Sequence, residues 1–126
     1  MPAPFDRLET ATLTPLHWVG VVAALVTAGV HFGLGVRNPT GTFGLAFLFA
    51  TVGFLVGIAA VLLAYRRRLV YLLGVPFTAG QLVLWYAFNR PFPPISTIEV
   101  VDKVAQAVLV AVLVILYRRE REGRPG

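Results

Sequence analysis

Four apolar stretches, each about as long as a bilayer crossing, fill most of this 126-residue chain. They cover residues 14–36, 43–65, 69–88 and 97–117, and a helix needs about 20 such residues to cross roughly 30 Å of hydrocarbon. The chain therefore reads as one transmembrane domain, residues 1–126: an all-α, antiparallel four-helix bundle of an integral membrane protein. Composition excludes a soluble domain, since 57% of residues are hydrophobic and only 13% are charged. The segments outside the four stretches are too short to hold a soluble catalytic domain. With no cysteine, disulfides, thiolate metal sites and thiol chemistry are excluded. The first stretch is too long for a signal-peptide core and is preceded by Asp6 and Glu9 as well as Arg7, so it counts as the first span.

Basic residues near span ends stay on the cytoplasmic side, and they set the expected orientation. Arg7, Arg66, Arg67, Arg68, Arg118, Arg119, Arg121 and Arg124 fall on one side, eight of the 11 lysines and arginines; Arg37, Arg90 and Lys103 fall on the other. Both termini are expected in the cytoplasm, at the cell membrane. The net charge of +5 is thus a topology signal, and its natural partner is the anionic headgroup of membrane lipid rather than nucleic acid.

Local signals mark the helix ends. Thr14-Pro15 reads as an N-cap followed by proline at the first helical position, and Ser96 with Glu99 has capping-box form after the proline-rich run at 90–94. Trp18, Tyr65, Tyr71 and Tyr117 fall near one set of span ends, and Trp85 and Tyr86 near the other, as interfacial aromatic belts do. Short connections make sequence neighbours antiparallel neighbours. Gly29/Gly33 and Gly53/Gly57 form two GxxxG patterns, expected to pack helices inside the monomer. On the first span His17, Gly20, Ala24, Thr27, Ala28, His31 and Gly35 recur at helical spacing as a small, polar stripe facing protein.

Few groups here can carry chemistry. At a rise of about 1.5 Å per residue, His31 and Asp102 both lie about 8 Å outward from the middles of their spans, so they can meet. Gln81 is near the same level, and Glu99, Asp102, Lys103 and Gln106 line one face of the fourth span. Polar groups at this depth turn to partners, which makes His31, Gln81, Asp102, Gln106 and Glu99 the candidate polar cluster. The structural alternative assigns Glu99 to a cap and a Glu99–Lys103 pair, and Asp102 to a hydrated helix N-terminus. Gly74-Val75-Pro76 is a second candidate, a bend or break in the third span of the kind that lines transporter sites.

His17 and His31, fourteen residues apart, share a helix face at opposite leaflets. That spacing resembles the haem-ligating histidines of cytochrome b type bundles, and the resemblance implies b-type haem held by His17 and His31 of a symmetric dimer. The resemblance covers one span and one helix's worth of ligands. Two histidines this far apart cannot share a metal ion, and no metal site is expected. The whole chain, through its Ala/Val/Gly/Arg-rich composition and the segments His17-Trp18-Val19-Gly20 and Gly29-Val30-His31-Phe32-Gly33-Leu34-Gly35, resembles small uncharacterised four-span membrane proteins of haloarchaeal type, which imply no activity. It departs from the small multidrug pumps in lacking a membrane-embedded glutamate in the first span, and from fluoride channels in lacking their asparagine and phenylalanine motifs.

Three kinds of function fit. A non-catalytic membrane subunit or scaffold, as a homo-oligomer or in a larger membrane complex, ranks first, because most polar groups have ordinary structural roles. A small transporter or channel using the polar cluster ranks second, and a haem electron carrier third. No paired carboxylates or phosphate-binding motif supports an enzyme.

Overall fold

The computed structural model describes residues 12–37, 39–88 and 96–123. Arg7, Asn38, the proline-rich run at 90–94 and Arg124 lie outside the described residues. Four helices follow one another: α1 (Pro15–Arg37), α2 (Thr42–Leu62), α3 (Arg67–Phe88) and α4 (Thr97–Arg121), with no strand among the described residues. Each is long and apolar enough to cross a bilayer. The fold is an all-α bundle.

Contacts between the helices give its topology. Gly35 of α1 lies against Leu48 and Gly44 of α2, Gly53 and Gly57 of α2 face Phe77 and Val70 of α3, and Gly74 of α3 faces Leu113 of α4. The ring closes where α4 returns to α1, with Val112 against Gly20 and Asp102 bonded to Thr27. Every neighbouring pair is antiparallel, and α2 and α3 touch least. One end of the bundle, the terminal end, carries the start of α1, the α2–α3 turn and the close of α4; the other is the distal end.

The distribution of side chains is inverted relative to a soluble bundle. His17, Thr27, His31, Thr78, Asp102 and Gln106 are buried beside alanines and leucines, while the exterior is valine, leucine and phenylalanine, with Phe49 72% exposed. Hydrocarbon tolerates that exterior, and the few polar side chains must find one another inside. The stripe on α1 is accordingly the buried face of that helix.

Helix ends use the signals in the sequence and add to them. At α1 the Thr14 backbone N–H donates to His17 Nδ1 at 2.9 Å, so His17 fills the place of the usual Glu or Gln in a capping box. At α4 both halves of the Ser96–Glu99 capping box are formed. The α2–α3 turn is tighter than the three arginines alone indicate. Tyr65 N–H donates to the Ala60 carbonyl and Ala64 N–H to the Val61 carbonyl, a Schellman close with left-handed Ala64 (φ 54°) where glycine is usual. Arg67 Nε donates to the Val61 carbonyl at 2.8 Å and its Nη1 to Thr12, so this arginine caps α2.

Three expectations need correction. Of the bend or break expected at Gly74 and Pro76, the break does not occur: α3 is one helix through Pro76. Proline removes only the amide that would bond the Leu72 carbonyl, and α4 grips α3 beside it, since a Cβ on Gly74 would lie 3.0 Å from Leu113 Cδ1. Of the two GxxxG patterns only Gly53/Gly57 packs helices; nothing lies within 4 Å of a Cβ at Gly29 or Gly33. Tyr71 is no interfacial anchor but is fully buried, its ring 6.5 Å from that of His17.

Candidate functional site

In the distal half of the bundle, α1, α3 and α4 join through one polar network. Asp102, 3% exposed, is its centre. Thr27 Oγ1 donates to Asp102 Oδ1 at 2.6 Å, and the Lys103 ammonium lies 2.8 Å from Oδ2. Lys103 also donates to Gln106 Oε1 at 3.2 Å and sits 5.4 Å from the Trp85 ring centroid, a cation–π contact. Gln106 Nε2 donates to Gln81 Oε1 at 3.0 Å, and Gln81 Nε2 closes the chain on the Phe77 carbonyl at 3.0 Å. Hydrogen bonds to charged groups are the strong ones, and a carboxylate buried this deeply persists only with such partners.

His31 joins the network from the side. Its Nδ1 lies 2.8 Å from the Thr27 carbonyl, an acceptor only, so Nδ1 carries a proton and donates. The same nitrogen lies 3.2 Å from Thr27 Oγ1 and 3.8 Å from Asp102 Oδ1. The ring is flanked by Phe47 and Phe54, with centroids 5.6 and 5.8 Å away.

His31, Gln81, Asp102 and Gln106 therefore come together, but not by the direct His31–Asp102 bond that matching depths suggest. Thr27 stands between them. Its signal was its place one turn before His31 on the same stripe, at the level of Asp102. Lys103 turns to Asp102, its neighbour in sequence, by curling its flexible stem back. Glu99 stands at the rim, held by the cap and 3.5 Å from Trp85 Nε1. Asp102 is enclosed rather than open at the helix end.

The geometry does not support haem. Both histidines are buried within one bundle, His17 at 1% exposure, so neither reaches a second copy across a dimer face. A ligating histidine normally donates from its other nitrogen, whereas His17 Nδ1 accepts from Thr14 N–H. Among the described residues no group of three His, Cys, Asp or Glu is placed to hold a metal ion.

A second feature lies in the terminal half. A cavity of about 470 Å³ runs between the helices, walled by apolar side chains with His17, Tyr71 and Thr78 as its polar members. None of the polar side chains of the distal network lines it, though Phe77, whose carbonyl ends that network, does.

Fold and interior together define a small multi-pass α-helical membrane protein with a buried polar network in one half and an apolar cavity in the other. The chain belongs to a family of unknown function, DUF7475, whose model matches residues 6–117. No curated protein and no solved structure matches it.

Proposed function

We propose that this chain is a non-catalytic four-span subunit or scaffold of the cell membrane, with both termini cytoplasmic, acting as a homo-oligomer or within a larger membrane complex. One observation carries the reading: the polar side chains of the distal network are engaged by one another and by the Phe77 carbonyl. Both oxygens of Asp102 and both ends of the Gln81 and Gln106 amides are engaged by protein groups. A conducting or transporting site needs groups that exchange partners with water or substrate. A network whose members engage one another instead rigidifies a bundle and selects one arrangement of its helices. Family membership is compatible with this and names no activity.

The second reading, a small transporter or channel, draws on the same Asp102–Lys103 pair, since buried ionisable groups in membranes often mark ion paths. Reconstitution separates the two. Purified protein in liposomes carrying proton, sodium or potassium gradients is expected to leak no faster than protein-free liposomes. In native membranes solubilised in mild detergent, the tagged chain is expected to run in an assembly larger than the single chain. A saturable cation flux that a folded Asp102→Asn variant abolishes would overturn the scaffold reading in favour of transport.

A further inference from the structure

The cavity of the terminal half has a mouth, and its position says what meets it. Two lining residues, Val56 of α2 and Leu73 of α3, are 62% and 58% exposed, so the cavity opens sideways between these helices. The window is framed by Phe77 against Gly53 on its distal side and Val70 facing Gly57 on the other. In a membrane-spanning bundle that window faces hydrocarbon. The volume of about 470 Å³ falls within the roughly 300–1,000 Å³ of ligand sites. Water fits poorly, because it needs two to four polar partners and this wall is almost wholly apolar.

Charge lies next to the cleft. The turn joining α2 and α3 exposes Arg66 and Arg68. Arg66 is carried over the Tyr65 ring at 5.6 Å and Arg68 over the Tyr117 ring at 5.9 Å. Arg67, between them, is committed to capping α2. Arg66, in the turn that joins α2 to α3, thus puts a guanidinium group at the terminal end of an apolar cleft between those helices, while Arg68 turns to α4.

We infer that the α2–α3 cleft is a lipid site: one hydrocarbon chain of an anionic membrane lipid enters between Val56 and Leu73, and its headgroup rests on Arg66. Gly57 of α2 leaves room at the entrance. A Cβ at Gly57 would have Val70 Cγ1 as its nearest neighbour, at 3.8 Å, so a larger side chain there fits and fills the entrance. The site does not depend on which way the bundle crosses the membrane, nor on the scaffold reading.

Photolabelling tests it. The full chain is reconstituted in phosphatidylcholine vesicles doped with phosphatidylglycerol carrying a diazirine in one acyl chain, irradiated, and mapped by mass spectrometry. Label is expected to concentrate on residues 53–58 and 70–77 and to be competed by unlabelled phosphatidylglycerol. Gly57→Leu should cut cleft labelling several-fold while leaving the lipid-facing side of α1 unchanged. Val56→Trp, at an exposed position where folding is not at stake, should do the same. Arg66→Gln should weaken competition by about five-fold, the worth of one basic residue at an anionic surface. Uniform, uncompeted label along all four helices would overturn the site. So would cleft label unchanged in both blocking variants. Equal labelling and competition by a phosphatidylcholine probe would overturn the anionic headgroup.

Discussion

At the scale of single residues, Thr27 decides how α1 and α4 are joined. Its hydroxyl is the donor to a buried carboxylate, at 2.6 Å, while His31 stands 3.8 Å from the same oxygen. Polar contacts between membrane helices average about 0.6 kcal/mol and reach about 1.7 kcal/mol. The charge and burial of Asp102 place the Thr27 bond toward the upper figure. Thr27→Val, which keeps shape and removes the donor, is expected to destabilise the detergent-solubilised protein by about 1–2 kcal/mol. In double-variant cycles read by thermal unfolding, Thr27→Val with Asp102→Ala should couple more strongly than His31→Ala with Asp102→Ala. A larger coupling through His31 would show that Thr27 is a bystander. Matching depths were enough to bring His31, Gln81, Asp102 and Gln106 to one level from the sequence. They did not reveal the actual pairings. The place of Thr27 on the stripe set its level but not its partner, and adjacent positions such as Asp102 and Lys103 diverge on a helix unless a long side chain folds back. Tyr71 was misplaced because an aromatic near a span end reads equally as interfacial anchor or as core.

At the scale of helices, the glycines divide by what they face. A Cβ at Gly35 would meet Leu48 Cγ at 2.7 Å and the Gly44 carbonyl oxygen at 3.1 Å, and one at Gly53 would collide with the Phe77 ring. At Gly29 and Gly33 it would meet open space. Alanine is the better helix former by about 1 kcal/mol, so the sign of each substitution depends on whether a clash outweighs that gain. Gly35→Ala is expected to cost about 1–3 kcal/mol, since part of its obstacle is backbone that cannot move aside. Gly53→Ala should cost less, because Phe77 can swing. Gly29→Ala and Gly33→Ala should leave stability unchanged or slightly raised. Unfolding midpoints of the four variants test this, and a destabilised Gly29→Ala would mean that α1 packs through a face that is open in the single chain. Sequence spacing made Gly29/Gly33 and Gly53/Gly57 look equivalent. They differ because GxxxG states that a helix has a smooth strip, whereas the rotation of the helix, fixed here by the His17-to-Gly35 stripe, decides whether that strip meets protein. Pro76 follows the same logic: its chemistry removes one hydrogen bond, and α3 runs on through it with Leu113 packed at Gly74.

At the scale of the whole molecule, the charges are more one-sided than a residue count indicates. Arg66, Arg67, Arg68, Arg118, Arg119 and Arg121 all belong to the terminal end. At the distal end Lys103 is drawn inward, its ammonium held by Asp102 and Gln106. It is no longer a free surface charge, which leaves Arg37 and, by sequence, Arg90 to oppose the arginines of the other end. The positive-inside rule counts charge close to span ends, and on that count the terminal end, where α1 begins and α4 closes, is expected in the cytoplasm. The four spans were readable in the sequence because apolar length is a one-dimensional property. The enclosure of Lys103 was not, because it depends on how α3 and α4 meet. Since the chain has no cysteine of its own, single cysteines can report the orientation without background. Thr40→Cys, in the exposed α1–α2 turn, and Glu122→Cys, just past α4, leave every arginine in place. In intact cells an impermeant maleimide is expected to label the cysteine at position 40 and to reach that at position 122 only after lysis. The opposite pattern would invert the bundle, and labelling of both in intact cells would mean that the arginines do not impose a single orientation.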